Sequence, residues 1–158
     1  MKLGLISDTH GDVRSTRRAL QLLDTFQVDV ILHCGDCGCE VLPLFAGRKL
    51  HVVAGNIDDF DSLRAAIVDP AHTFHGELGE LEIEGCRISL LHGHDVTLLR
   101  HTCQSGRWDL VCHGHTHAFS RSREGATLVL NPGAVSRTSF PSLAIVELPS
   151  MEVTEISL

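Results

Sequence analysis

Five short polar segments carry the side chains that could do chemistry: Asp8-Thr9-His10, Gly35-Asp36, Gly55-Asn56, His92-Gly93-His94 and Gly114-His115-Thr116-His117. Imidazole, carboxylate and amide oxygen in that mixture suit a divalent Mn, Fe, Zn, Ni or Co ion, whereas calcium prefers cages of oxygen alone. In extended backbone the side chains of residues i and i+2 point the same way, so Asp8 with His10, and His115 with His117, are each expected to present two ligands to one side. The neighbouring glycines remove bulk and permit tight turns around a small cation. A Gly-His-Thr-His run should occur by chance only about 0.004 times in a chain of this composition, so that motif is specific. Asp8, Asp36 and Asn56, taken singly, are equally well explained as turn caps; only the full order of the five segments argues against it. Eleven histidines in 158 residues is a high content that needs a reason.

Each segment sits where an apolar run ends. Lys2 to Ile6 reads as a buried strand that empties into the first polar loop. Asp12 then caps a helix with Leu20, Leu23 and Phe26 at helical spacing and Arg14, Arg17, Arg18 and Gln21 on its wet side. Strands over Asp29 to Cys34 and Leu50 to Ala54 follow, the latter ending at Gly55-Asn56. Apolar strands separated by helical segments form a parallel sheet flanked by helices, with ligands at the carboxyl ends of the strands. The second half is richer in strand: Glu77 to Glu84 and Arg87 to Leu91 flank Gly85-Cys86 as a hairpin, Trp108 packs ahead of a strand leading to His113, and Thr127 to Leu130 and Leu143 to Leu148 are further strands. Residues 57–76 are expected to be an excursion from the core.

Composition narrows the function. The chain has the size of a single domain, 1–158, and its longest uncharged stretches, such as Gly125 to Ser136, fall short of the roughly 18 apolar residues that span a bilayer. The first residues lack the pattern of a signal peptide, so a cytoplasmic protein is expected. Thirteen basic against twenty acidic residues give a net charge of -7, which excludes a general nucleic-acid clamp but leaves room for a small anion. The six cysteines are expected to be free thiols. Cys34 to Cys39 could also be read as a thiolate zinc site or a redox pair, but no second Cys-x-x-Cys completes four ligands.

The ordered segments, together with Asn131-Pro132-Gly133-Ala134-Val135 and the closing strand, resemble the calcineurin-like metallophosphoesterases, in particular the small YfcE-like phosphodiesterases. The resemblance spans essentially the whole chain. It implies an α/β (α+β) fold, a two-sheet mixed β-sandwich flanked by helices. It also implies a dimetal centre: Asp8, His10 and His117 on one divalent ion, Asn56, His92 and His115 on the other, Asp36 between them, with manganese the first candidate and Fe, Ni, Zn or Co as alternatives. The implied reaction is in-line attack of a metal-bridging hydroxide on a small phosphodiester or nucleotide-like substrate.

Two departures stand out. Relatives often follow Gly-Asn with a histidine placed to protonate the leaving oxygen; here that position is Ile57, which has no proton to give, and His94 is the candidate for phosphate contact or proton donation beside the catalytic Asn56. Ala134 stands where relatives commonly have serine, which removes a hydrogen bond behind the site. His113 reads as an outer-shell or packing residue. His33, His51, His72, His75 and His101 have no partner at chelating spacing and read as surface or core residues, and Arg14 reads as a solvated helix residue or a phosphate contact. The rival readings are a non-catalytic metal-binding scaffold of the same fold, like the retromer subunit, and a phosphomonoesterase. A homo-oligomer is left open.

Overall fold

Strand β1 (Lys2–Ile6) buries both faces, which is why its sequence is apolar without alternation: Leu3 and Leu5 enter the core between two sheets, while Ile6 enters a second core beneath helices. A computed structural model describes residues 1–158. Along the chain, β1 is followed by α1 (Val13–Thr25), β2 (Val30–His33), a 3₁₀ segment (Cys39–Phe45), β3 (Leu50–Val52), α2 (Phe60–Ala66), β4 (His72–Phe74), β5 (Leu78–Ile83) and β6 (Cys86–Leu91). Then come α3 (Val96–Gln104), β7 (Leu110–Cys112), β8 (Phe119–Glu124), β9 (Thr127–Pro132), β10 (Ser142–Glu147) and β11 (Glu152–Ser157).

One sheet has the order β11-β10-β1-β2-β3-β4 and the other β5-β6-β7-β9-β8. The centre of each is parallel: β1 to β4 run together in the first, and β6, β7 and β9 in the second. The fold is thus a mixed two-sheet α/β sandwich with helices outside. In the first sheet Leu5 aligns with Leu32 and Leu3 with Val30, so their side chains meet Ile88, Leu90, Leu110 and Leu130 of the second sheet in one buried cluster. Helix α1 closes the opposite face with Ala19, Leu20 and Leu23, and Asp12 caps it as expected by accepting from the Ser15 amide at 2.9 Å. A smaller cluster of Leu91, Val111, Val129, Trp108 and Cys103 lies under α3.

Residues 57–76 are not an excursion. They contain α2 and the edge strand β4, which pairs in parallel with β3. The second half also holds helix α3, started by Asp95 accepting from the Leu98 amide at 2.9 Å. No helix is long and apolar enough to cross a membrane.

Candidate metal centre

The parallel strands of both sheets end on one side of the sandwich, and their polar tips meet there. Asp8 and His10 follow β1, Asp36 follows β2, Asn56 follows β3, His92 and His94 follow β6, and His115 and His117 follow β7. The expected geometry of the Asp-x-His and His-x-His pairs is corrected. Asp8 (φ 56°), His10 (φ 48°), His115 (φ 70°) and His117 (φ 59°) are all left-handed rather than extended. Convergence comes from turns that cost of order 1–3 kcal/mol per residue and persist because their surroundings hold them. Asp36 shares that conformation at φ 51°.

Metal-ligand atoms of Asp8, His10 and His117 lie within 4.8 Å of one another, as do those of Asp8, Asp36 and His92. Asp8 belongs to both groups and is fully buried. His10 Nε2 is 3.3 Å from His117 Nε2, and His92 Nε2 is 3.1 Å from Asn56 Oδ1 and 3.3 Å from Asp36 Oδ2. The His115 ring centre is 5.1 Å from that of His92, and the His115 amide donates to Asp8 Oδ2 at 3.2 Å. His94 is exposed at the rim, its ring centre 5.6 Å from His92 and 6.3 Å from His115.

The donor set fits divalent ions. His92 Nδ1 lies 2.8 Å from the Cys34 carbonyl and donates to it, and His117 Nδ1 donates to the Arg137 carbonyl at 3.4 Å. In the neutral ring each bond keeps the proton on Nδ1 and turns the Nε2 lone pair toward the other ligands, the arrangement common behind ligating histidines; when the His92 ring is charged, its Nε2 donates to Asp36 instead. Asp8 Oδ1 and His10 Nδ1 are buried without a hydrogen-bond partner; His117 Nε2 comes within 3.1 Å of Asp8 Oδ1 but without hydrogen-bond alignment. A cation among Asp8 Oδ1 and the Nε2 atoms of His10 and His117 would relieve that crowding of lone pairs.

The titration of the ion-free site follows the same logic. Burial pushes His92 down, but its bonds to Asp36 and the Cys34 carbonyl and the nearby carboxylates outweigh this, and its pKa is raised. Burial likewise opposes ionised Asp36, yet hydrogen bonds from His92 and the Ile57 amide leave its pKa lowered. His10 is lowered by burial first and by the Arg137 charge second, against the pull of Asp36 and Asp8.

The loops are clamped by groups that the spacing did not announce. The Asp58 carboxylate accepts from the amides of Gly55 (2.8 Å), Gly38 (2.9 Å) and Cys37 (3.1 Å), tying the Asp36 loop to the Asn56 loop. The one sequence signal was an acid two residues after Asn56. Asn131 donates to the Gly114 carbonyl at 2.8 Å and Thr116 Oγ1 at 2.9 Å, and Ser136 Oγ donates to the carbonyls of Asp8 and Thr9. A Cβ at Gly55 would overlap Asp36 Oδ1, and one at Gly114 would overlap Ser7 Oγ.

Over residues 1–151 the sequence matches the family described as the calcineurin-like phosphoesterase superfamily domain. The chain belongs to the calcineurin-like phosphoesterase superfamily. Among relatives of this phosphoesterase, Phosphodiesterase MJ0936 of Methanocaldococcus jannaschii is 29% identical and is aligned over 100% of this chain and 99% of its own length. The solved structure of an archaeal phosphodiesterase superposes with a TM-score of 0.87 at 27% identity, covering 100% of both chains. Wild-type Vps29 of Entamoeba histolytica, complexed with zinc, superposes with a TM-score of 0.74 at 25% identity over 100% of this chain and 93% of its own.

Other sequence expectations for this phosphoesterase resolve against the same geometry. All six cysteines are free, and burial pushes the thiols of Cys34, Cys37 and Cys112 well up, so these are protonated packing groups; none joins the ligand groups. Ala134 is fully buried, and a neighbouring hydroxyl comes from Ser136 instead. His113 is buried and its Nδ1 lies 3.2 Å from the Gly114 carbonyl, while Arg14 lies exposed on α1. His51 and His75, unpaired by sequence spacing, meet across β3 and the end of β4 with Nδ1 and Nε2 2.9 Å apart.

Proposed function

We propose that this phosphoesterase is a dimetal phosphodiesterase acting on small or nucleotide-like phosphodiesters. The observation that carries the reading is the pair of ligand groups that share buried Asp8, whose Oδ1 has no hydrogen-bond partner. Asp8, His10 and His117 would hold one ion, and Asn56, His92 and His115 the other. Asp36 would reach both, since its Oδ2 lies 3.3 Å from His92 Nε2 and 4.0 Å from His10 Nε2. When bound, two such ions act as Lewis acids that acidify water and offset charge on the phosphoryl group.

The chain's own groups orient the substrate. With Oδ1 turned to His92, Asn56 keeps its amide hydrogens for a phosphoryl oxygen. His94, exposed beside His92 and His115, would contact phosphate or protonate a departing oxygen. Ile57 is 52% exposed next to Asn56 and donates no side-chain proton, which favours diesters with good leaving groups. The activity named for the archaeal relatives supports the diester preference.

The test is turnover of metal-free protein given Mn²⁺, Ni²⁺ or Zn²⁺, with an activated diester compared against an activated monoester. Faster diester hydrolysis is the expected result, and faster monoester hydrolysis would make the protein a phosphomonoesterase. No turnover despite two bound equivalents would instead establish a metal-binding scaffold without catalysis, the reading favoured by the likeness to zinc-bound Vps29.

A further inference from the structure

His33 is fully buried at the end of β2, three residues before Asp36 and outside every ligand group. Its hydrogen bonds leave one arrangement of protons. The Gly35 amide donates to Nδ1 at 3.2 Å, so that nitrogen carries no hydrogen. Thr9 Oγ1 spends its single hydrogen on the Cys37 carbonyl at 2.8 Å, so at 2.9 Å from His33 Nε2 it must accept. Nε2 is therefore the protonated nitrogen and the ring is neutral. Charging the ring would set an N–H against the Gly35 N–H. The ring edge also packs against Phe45, 6.2 Å between centres.

Thr9 stands between the ligands Asp8 and His10, and Cys37 follows the ligand Asp36. The two loops already share backbone bonds from the Asp8, His10 and Gly11 amides to the Gly35, Asp36 and Cys37 carbonyls, at 3.1, 2.9 and 2.9 Å. These set the spacing of the loops, and the Asp12 amide and Ser136 Oγ hold the Thr9 carbonyl at 2.8 and 3.0 Å. The Thr9 side chain adds a separate tie between two flanking ligands whose left-handed conformations need external support. The His33–Thr9–Cys37 chain fixes that side chain against the Asp36 loop.

We propose that His33 is a positioning residue for the metal centre, whose Nε2–H, acting through Thr9 Oγ1, locks the Asp8–His10 loop onto the Asp36 loop and fixes the two carboxylates at the separation that divalent ions require. This rests on the dimetal reading, and the experiment separates the two. Ring ¹⁵N NMR of metal-free protein should show His33 as the Nε2–H tautomer at neutral pH; an Nδ1–H or charged ring overturns the inference whatever the metal does. Calorimetric titration with Mn²⁺ should then show at least tenfold weaker binding in Thr9→Val and His33→Leu, while His33→Gln, which keeps a distal amide donor for Thr9, recovers most of the affinity. Equal loss in His33→Gln and His33→Leu would reduce His33 to a packing residue, and so would unchanged affinity in all three variants. Should His33→Leu fail to fold, Thr9→Val, nearly isosteric, decides alone. Absence of Mn²⁺ binding in the unsubstituted protein would overturn the dimetal reading instead, leaving the tautomer result to stand by itself.

Discussion

Asp8 Oδ1 is a buried polar atom without a hydrogen-bond partner, a state that costs about 1–3 kcal/mol when nothing replaces the lost water. A bound ion reverses that penalty, and a ligand at a hundredfold its Kd stabilises by about 2.7 kcal/mol. Saturating Mn²⁺ should therefore raise Tm by roughly 5–10 °C, and Asp36→Asn, which removes one charge between the two ligand groups, should abolish the rise in a thermal scan. His94→Ala should keep the rise and the metal content while turnover falls by about 10²-fold or more, the usual range for a lost general acid; full activity in that variant would remove His94 from catalysis. Ile57 tests the converse. Its side chain is half-exposed beside Asn56, so Ile57→His should be tolerated and should speed hydrolysis of esters with poor leaving groups more than activated ones. A series of substrates graded by leaving-group pKa would read this as a shallower slope.

Between residue and sheet lie the loops, and their closest knot is Asp58, which serves three amides of two loops. Asp58→Ala leaves those amides facing a void, so urea unfolding should show a loss of roughly 2–5 kcal/mol, and Mn²⁺ affinity should fall with it. Asp58 was not legible because nothing in its type says which amides it will meet. The strands divide in the same way. β1 and β2 bury both faces and announce themselves as apolar runs, whereas β8 (Phe119–Glu124) and β11 (Glu152–Ser157) expose most of their residues and carry no apolar run. β4 has three residues and owes its form to pairing with β3. The ligand side chains were legible because residue type and order survive without coordinates. Their left-handed backbone was not, since each non-glycine residue prefers another conformation and only the assembled loops enforce this one.

Across the whole molecule, the histidines that do not face the ion site set how the fold responds to acid. Burial holds His33 down at about 4, against an ordinary 6.5, so between those values the unfolded chain takes up a proton that the folded one refuses. Stability then rises with pH through that window and is lost as pH falls through it, by on the order of 3 kcal/mol for His33. His51, also near 4 through burial first and its neighbour His75 second, adds a smaller contribution of the same sign because it is only partly buried. His75 and His113, lowered by burial, act in the same direction. His92 acts oppositely: its raised pKa stabilises the ion-free fold below 6.5, and that contribution disappears as pH rises through the raised value. Comparing metal-free protein with its own His33→Gln variant cancels the His92 part. The unsubstituted protein should lead in urea midpoint at about pH 7 and lose that lead by about pH 4.5, because glutamine has no proton to accept. A lead that stays constant over this range would mean that His33 is not held neutral by the fold, and the acid sensitivity would have to reside in the exposed histidines instead.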